Sequence, residues 1–339
     1  MRVCHSFDPV FDDPNLIAYG GLPAVMRLAE QAGLYDLVDE HVTVPGTAGA
    51  NTSAKVSAII AGLVVGADSI SDLDVLRHGG MGRVFTGLRA PTTLGTHLRA
   101  YRFGHVRQLD AVAARLLARL AAVSPILAGA EQVTYLDVDD TIRETHGYHK
   151  QGAAYGYSKV KGLNAQVAIL STPLSAPVIA ATRLRKGNID SGHGAARLIA
   201  DSLATLRRAT TPGMIIVRAD SAYFRHDVVA AAHASGAKFS VTARLNKAAT
   251  RAIAGIDEQA WTPIRYPNAV FDDEQQRWIS DAEVAEVPFT AFTSHPKADH
   301  VTARLIVRRV KRLNPTIAKT RTPDIASFLL KGQWLVLVS

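Results

Sequence analysis

"TYLDVDDTIRETHGYHKQG", residues 134–152, packs three aspartates, Asp137, Asp139 and Asp140, into one strand-like segment. Apolar residues interleave with them, and a loop bearing Gly and His follows. Such a segment is either a solvated strand end or a place where carboxylates hold a metal. Side chains alternate along a strand. Asp137 and Asp139 are therefore predicted on one face, with Leu136 and Val138 on the other. Asp140 is predicted at the strand end, where a turn-forming role suits it.

The segments downstream give the strand a context. GYSKVKGLNAQVAILS, 156–171, reads as a second strand with a bend at Gly162, and APVIAATRLR, 176–185, as a third. KGNIDSGHG is a turn, and 193–209 is an amphipathic helix with His193 at its start. GMIIVRADSAY, 213–223, is a buried strand, 224–237 a helix and 238–244 a strand. Three meander-like strands followed by helix–strand–helix–strand predict a mixed sheet with helices on both faces. It is the element order of the ribonuclease H fold, in which the first and fourth strands are neighbours. Those two strands carry LDVDD and VRADS. Asp220, at the end of the fourth, would then sit beside Asp137 or Asp139, and adjacent carboxylates repel unless a cation lies between them. Mg²⁺ takes oxygen ligands, commonly one or two carboxylates plus phosphate oxygens. Two such ions about 4 Å apart can assist phosphodiester displacement.

Upstream, residues 1–128 read as a mostly helical region. One helix is predicted over 22–41, one after a Ser53 cap, a short one within 69–78, and two over 93–103 and 106–123. This region suits DNA-end binding or dimerisation, and equally plain scaffolding, since no helix-turn-helix signature stands out. Residues 129–246 are the first part of the predicted core, 247–315 a β-rich insertion containing AEVAEVPFTAFT and VTARLIVRRV, and 316–339 a divergent tail.

Bulk properties set the class. The chain has 339 residues, 47% of them apolar and 20% charged, enough for more than one core. One cysteine, Cys4, rules out an internal disulfide and a cysteine-based zinc site. His146 and His149 lie near the first strand, but without cysteines no zinc site is expected. No secretory signal is legible, and the longest apolar run, 56–67, is shorter than the roughly 20 residues a membrane helix needs. A cytoplasmic protein without membrane association is expected.

The formal charge is +8, and it is unevenly placed. Residues 1–130 hold 11 Lys/Arg and 11 Asp/Glu, whereas residues 141–251 hold 16 and 5. Residues 301–323 carry seven basic residues and no acid. The excess surrounds the acidic strands, as a polyanionic partner requires. Lys159, Lys161, Arg183, Arg185 and Lys186 are candidate DNA-phosphate contacts, or else solvated strand ends. No Walker or dinucleotide fingerprint is present.

Four stretches together resemble a known family. They are GANTSAKVSAIIAGLVVGADSISDLDVLRHGGM (49–81), LDVDDTIRETHGYHKQG (136–152), STPLSAPVIAATRLRKGN (171–188) and VRADSAYF (217–224). They resemble the DDE transposases of bacterial insertion sequences, specifically the IS thirteen-eighty family, whose domain is called DDE group 1. The resemblance runs from about residue 14 to about residue 315. It implies Asp139, in an Asp-x-Thr pattern, as first catalytic acid, with Asp137 as the fallback. It implies Asp220, in the ADS pattern, as the second. Asp139 and Asp220 would hold Mg²⁺ or Mn²⁺, two ions in an intact site. The implied activity is DNA cleavage at terminal inverted repeats followed by strand transfer into target DNA, by a homodimer that brings two ends together.

The family pattern also demands a third acid, a Glu on a later helix. The last glutamate here is Glu286, and Glu274, Glu283 and Glu286 read as surface acids. The tail beyond 315 departs from the pattern. Both features lead to the expectation of a C-terminally truncated transposase, without strand transfer by this chain. The alternatives are an inactive remnant or repressor that occupies transposon ends, and an unrelated nuclease of ribonuclease H type that recruits Glu283 or Glu286.

Overall fold

The computed structural model describes residues 13–147, 150–267, 270–274, 276–278, 282–310 and 334–339. Cys4, His149 and most of the tail predicted as divergent lie outside them. The chain divides into two compact units, residues 1–126 with 208–210, and 127–207 with 211–339. No helix among the described residues is long and apolar enough to cross a membrane.

The first unit is helical. Residues 22–41 form two helices rather than the predicted one, α1 (Leu22–Gln31) and α2 (Leu34–His41). The break falls at Gly33, whose φ of +77° is left-handed and is readily adopted only by glycine. A Cβ there would also run into the Arg119 guanidinium. α3 (Thr52–Val64) starts after Asn51, itself left-handed at φ +52°. Ser53 is thus inside the helix and not its cap. Thr52 instead donates its hydroxyl to the Gly49 carbonyl at 2.7 Å. A 3₁₀ turn at Ser71–Arg77 precedes α4 (Met81–Val84), α5 (Pro91–Arg99) and the 21-residue α6 (Phe103–Val123). Leu34, Leu37, Val38, Val56 and Val112 meet in the core.

A buried histidine makes this unit acid-sensitive. His97 is fully buried, with Nδ1 donating to the Ala48 carbonyl at 2.8 Å and Nε2 accepting from the Tyr101 hydroxyl at 3.2 Å. Burial pushes its pKa below the ordinary value. The Ala48 carbonyl opposes that shift and the Lys55 charge adds to it. The unfolded chain takes up this proton near pH 6.5, before the folded unit does. The stability from neutral His97 is therefore complete above about pH 6.5 and is lost progressively as pH falls from there toward the depressed folded value. We expect the melting temperature of wild type to fall across that window more steeply than that of His97→Gln. Parallel curves from the two proteins would refute this.

The second unit is built on one large sheet. Its strands are β1 (Val133–Glu144), β2 (Ala154–Tyr155), β3 (Lys161–Ser171), β4 (Val178–Lys186), β5 (Met214–Ala219) and β6 (Lys238–Thr242). They continue with β7 (Thr262–Pro263), β8 (Phe271–Asp272), β9 (Arg277–Trp278), β10 (Ala282–Ala291), β11 (Val301–Val310) and β12 (Trp334–Val338). Helices α7 (Ala195–Ala209), α8 (His226–Ala234) and α9 (Lys247–Ala254) lie between them in sequence. The sheet order is β2-β3-β1-β5-β6-β12-β11-β10-β7, with β4 also paired to β3, while β8 and β9 form a separate ribbon. β1 is antiparallel to β3 and parallel to β5, and β5 is parallel to β6.

Several local expectations are corrected. β1 runs on to Glu144, so Asp140 lies inside the strand rather than at its end. The long antiparallel ladder to β3, from Tyr135–Ser171 to Glu144–Gly162, carries it through. Gly162 sits within β3, where a Cβ would strike the Arg143 carbonyl, and the irregularity falls instead at Ala168/Ile169. Lys159 precedes β3 and so lies outside the observed strand, which is shorter than the one predicted over 156–171. His193 lies in the turn before α7, its N–H donating to the Asp190 carbonyl at 3.1 Å. Glu283 is buried and paired with Arg309 at 2.8 Å, not a surface acid.

Residues 334–338, within the tail, supply β12, which is antiparallel to both β6 and β11. The apolar run WLVLV suits a strand with a neighbour on each side. Leu337 is fully buried there. Leu337→Ala should cost about 2–5 kcal/mol, the usual penalty for emptying a buried leucine site. Urea unfolding measures it, and an unchanged midpoint would place Leu337 outside the core.

Candidate active site

The alternation that buries Leu136 and Val138 turns Asp137 and Asp139 to the opposite face of β1. Parallel pairing aligns Asp137 with Arg218 and Val138 with Ala219. The pairing ends there, and continuing its register by one residue sets Asp139 opposite Asp220, which follows β5 and caps a 3₁₀ turn, Ser221–Tyr223. Both line a cleft of about 800 Å³ together with Tyr157, Asp190, Ser191 and Asp140.

The three aspartates of β1 have different electrostatic surroundings. Asp137 is held in a fork by Arg218, with Nε and Nη2 each donating at 2.6 Å. The Arg218 guanidinium also lies 4.2 Å from the centre of the Tyr135 ring. The hydrogen-bonded Asp137 carboxylate holds Arg218 above its usual pKa, against a smaller opposing effect of burial. Asp140 binds Arg185 at 2.8 Å and accepts further bonds from Asn164 Nδ2 at 2.8 Å and Ser191 Oγ at 3.2 Å. Asp139 and Asp220 differ from both. Asp139 Oδ1 accepts the Asp140 N–H at 2.7 Å, and Asp220 Oδ1 accepts the Ala222 N–H at 2.9 Å. Among the described residues, ion pairs reach Asp137 and Asp140 but neither Asp139 nor Asp220. Two exposed carboxylates therefore line one cleft with one oxygen each free of a protein donor.

That donor set fits a hard divalent cation, which prefers carboxylate oxygens and leaves other positions for water or phosphate. No group of three or more His, Cys, Asp or Glu residues is gathered for a metal among the described residues.

The family model for the transposase DDE domain, group 1, matches residues 10–329. The chain belongs to that family. The match extends past residue 315, where the sequence pattern had been read as departing from the family. A search of curated proteins finds no match.

In this transposase the basic residues expected to touch DNA are unevenly available. Lys159 and Lys186 are exposed. Lys161 reaches the Gly147 carbonyl at 3.4 Å. Arg183 pairs with Asp201 at 2.9 Å. Arg185 is only 6% exposed at its side chain and is engaged with Asp140, Asn164 and the backbone of 190–193. Burial pulls its pKa below the ordinary value, and the Asp140 charge opposes that. The turn 187–191, legible in the sequence only as a turn, and Tyr157, not singled out there, both line the cleft. The only local signal was Gly187, where a Cβ would collide with the Gly162 carbonyl, so the turn closes tightly on β3.

Proposed function

We propose that the chain processes the DNA ends of an insertion sequence of the IS thirteen-eighty family, with Asp139 and Asp220 holding Mg²⁺ or Mn²⁺ in the cleft. The observation that carries this reading is that two carboxylates lacking a protein counter-cation, one on β1 and one directly after β5, line the same cleft. The strand order β4-β3-β1-β5-β6, with β3 antiparallel to β1, supports a ribonuclease H-like core. The excess of basic residues in 141–251 supports a DNA partner.

When bound, the metal would polarise the phosphodiester and lower the pKa of an attacking hydroxyl or water. The chain's own contribution is positional. Asp139 and Asp220 are fixed by backbone N–H donors at one oxygen each, which leaves the other free to ligate. Arg218 neutralises Asp137, so the repulsion left at the cleft is between Asp139 and Asp220. Asp137, the fallback first acid, is the weaker candidate because its carboxylate is already forked. The helical unit is assigned to end binding or dimerisation, and two copies would bring two ends together.

A second reading, end binding without cutting, is favoured because no three His, Cys, Asp or Glu side chains are placed to hold a metal together among the described residues. One experiment separates them. The purified chain is incubated with plasmid bearing the terminal inverted repeats, in Mg²⁺, Mn²⁺ or EDTA. Metal-dependent nicks at the repeat ends support cleavage. A repeat-specific gel shift without nicks supports the end-binding protein. Neither nick nor shift overturns both.

A further inference from the structure

The loop between β2 and β3 carries Tyr157 with its side chain wholly in solvent, 99% exposed. A tyrosine can bury roughly 150–250 Å² of surface, and this ring buries almost none. Yet its backbone is closely held. The Lys159 N–H donates to the Gly156 carbonyl at 3.1 Å, which closes a tight turn with Tyr157 at its first corner. Gly156 lies so close to the neighbouring turn that a Cβ would stand 2.5 Å from the Gly187 carbonyl. Lys159 adopts a left-handed φ of +59°, a conformation that strains a non-glycine residue. Such strain tends to gather at ligand-binding sites. The strained turn thus holds a bare aromatic ring on the wall of the cleft that contains Asp139 and Asp220, with the exposed Lys159 two residues on.

We propose that Tyr157 is a stacking platform for an unpaired base, and that the cleft takes a DNA end whose terminal pairs have opened. The inference rests on the reading of the cleft as a DNA site. Inside a duplex both faces of each base are occupied by its neighbours and a closed end offers only the outer face of its last pair, so a ring beside the strand gains a base's face when that base has left the stack. A lysine beside the ring suits the phosphate next to such a base. Stacking tolerates any base, so this contact selects opened ends over closed ones without reading sequence.

The test is fluorescence anisotropy with the full chain in EDTA, on a labelled blunt duplex and on the same duplex with mispaired bases at one end. Wild type should prefer the frayed duplex. Tyr157→Ala should weaken frayed-end binding by roughly 5- to 150-fold, the range for losing a base-stacking aromatic. It should leave blunt-duplex binding unchanged, and Tyr157→Phe should retain the preference. Equal losses on both duplexes, or no loss on either, would overturn the stacking role and leave the DNA site standing. Wild type that binds neither duplex would overturn both. Because the ring is exposed, all three proteins should melt alike, and a lower melting temperature for Tyr157→Ala would assign the ring to the fold instead.

Discussion

Asp139→Asn and Asp220→Asn should each weaken Mn²⁺ binding by more than the roughly 10–100-fold that loss of an outer-sphere partner costs. Each substitution keeps the shape of the side chain and removes the charge that a divalent cation would neutralise. Stability should move in the opposite direction. Two like charges stand together without a counter-cation, so removing either relieves repulsion. In EDTA the variants should melt at or slightly above the wild-type temperature. Added Mn²⁺ should raise the melting temperature of wild type, because a ligand that binds the folded state stabilises it, and should leave the variants unmoved. Asp137→Asn is the internal control. Asp137 is forked by Arg218, so its loss should leave the metal response in place. If Asp137→Asn abolishes that response while Asp139→Asn spares it, the assignment is reversed. Global unfolding of Asp139→Asn and Asp220→Asn would make them structural aspartates.

Arg185→Ala should cost about 3–5 kcal/mol of stability, because it leaves the largely shielded Asp140 without its charged partner. The Asp140 and Arg185 side chains are 15% and 6% exposed. The guanidinium ties three pieces of chain together, bonding Asp140 on β1, Asn164 on β3 and the carbonyls of Ser191 and His193 in the cleft turn. Lysine is a poor replacement, since one ammonium cannot reproduce the planar fork. The double variant Arg185→Met with Asp140→Leu should recover much of the loss, because a buried pair is costly chiefly when it is broken. Urea midpoints of the two singles and the double measure the coupling. Additive losses would show that the two residues act independently.

The sequence made parts of this architecture legible and hid others for physical reasons. The alternation in VTYLDVDD was enough to put Asp137 and Asp139 on one face, because strand periodicity is local. The meeting of Asp139 with Asp220 needed only the assumption that the first and fourth strands are neighbours. The fates of Asp137 and Asp140 were not readable. Whether Arg218 faces Asp137 depends on the β1–β5 register, and whether Arg185 reaches Asp140 depends on β3 lying between their strands. Both are set by the assembled sheet and not by neighbouring residues. The break at Gly33 was hidden because the apolar spacing of a helix continues across it. β12 was hidden because five apolar residues do not say which edges they will join.

That strand also sets a timetable for synthesis. As the chain leaves the ribosome, β6 and the β10–β11 hairpin emerge well before residues 334–338. Until those arrive, β6 and β11 each present a row of unpaired backbone groups, the kind of edge that recruits foreign strands. Closure joins residues far apart in sequence, a slow class of event, and the interval before it favours misassembly. A nascent chain halted after β11 would hold two open edges where the finished protein has a seam.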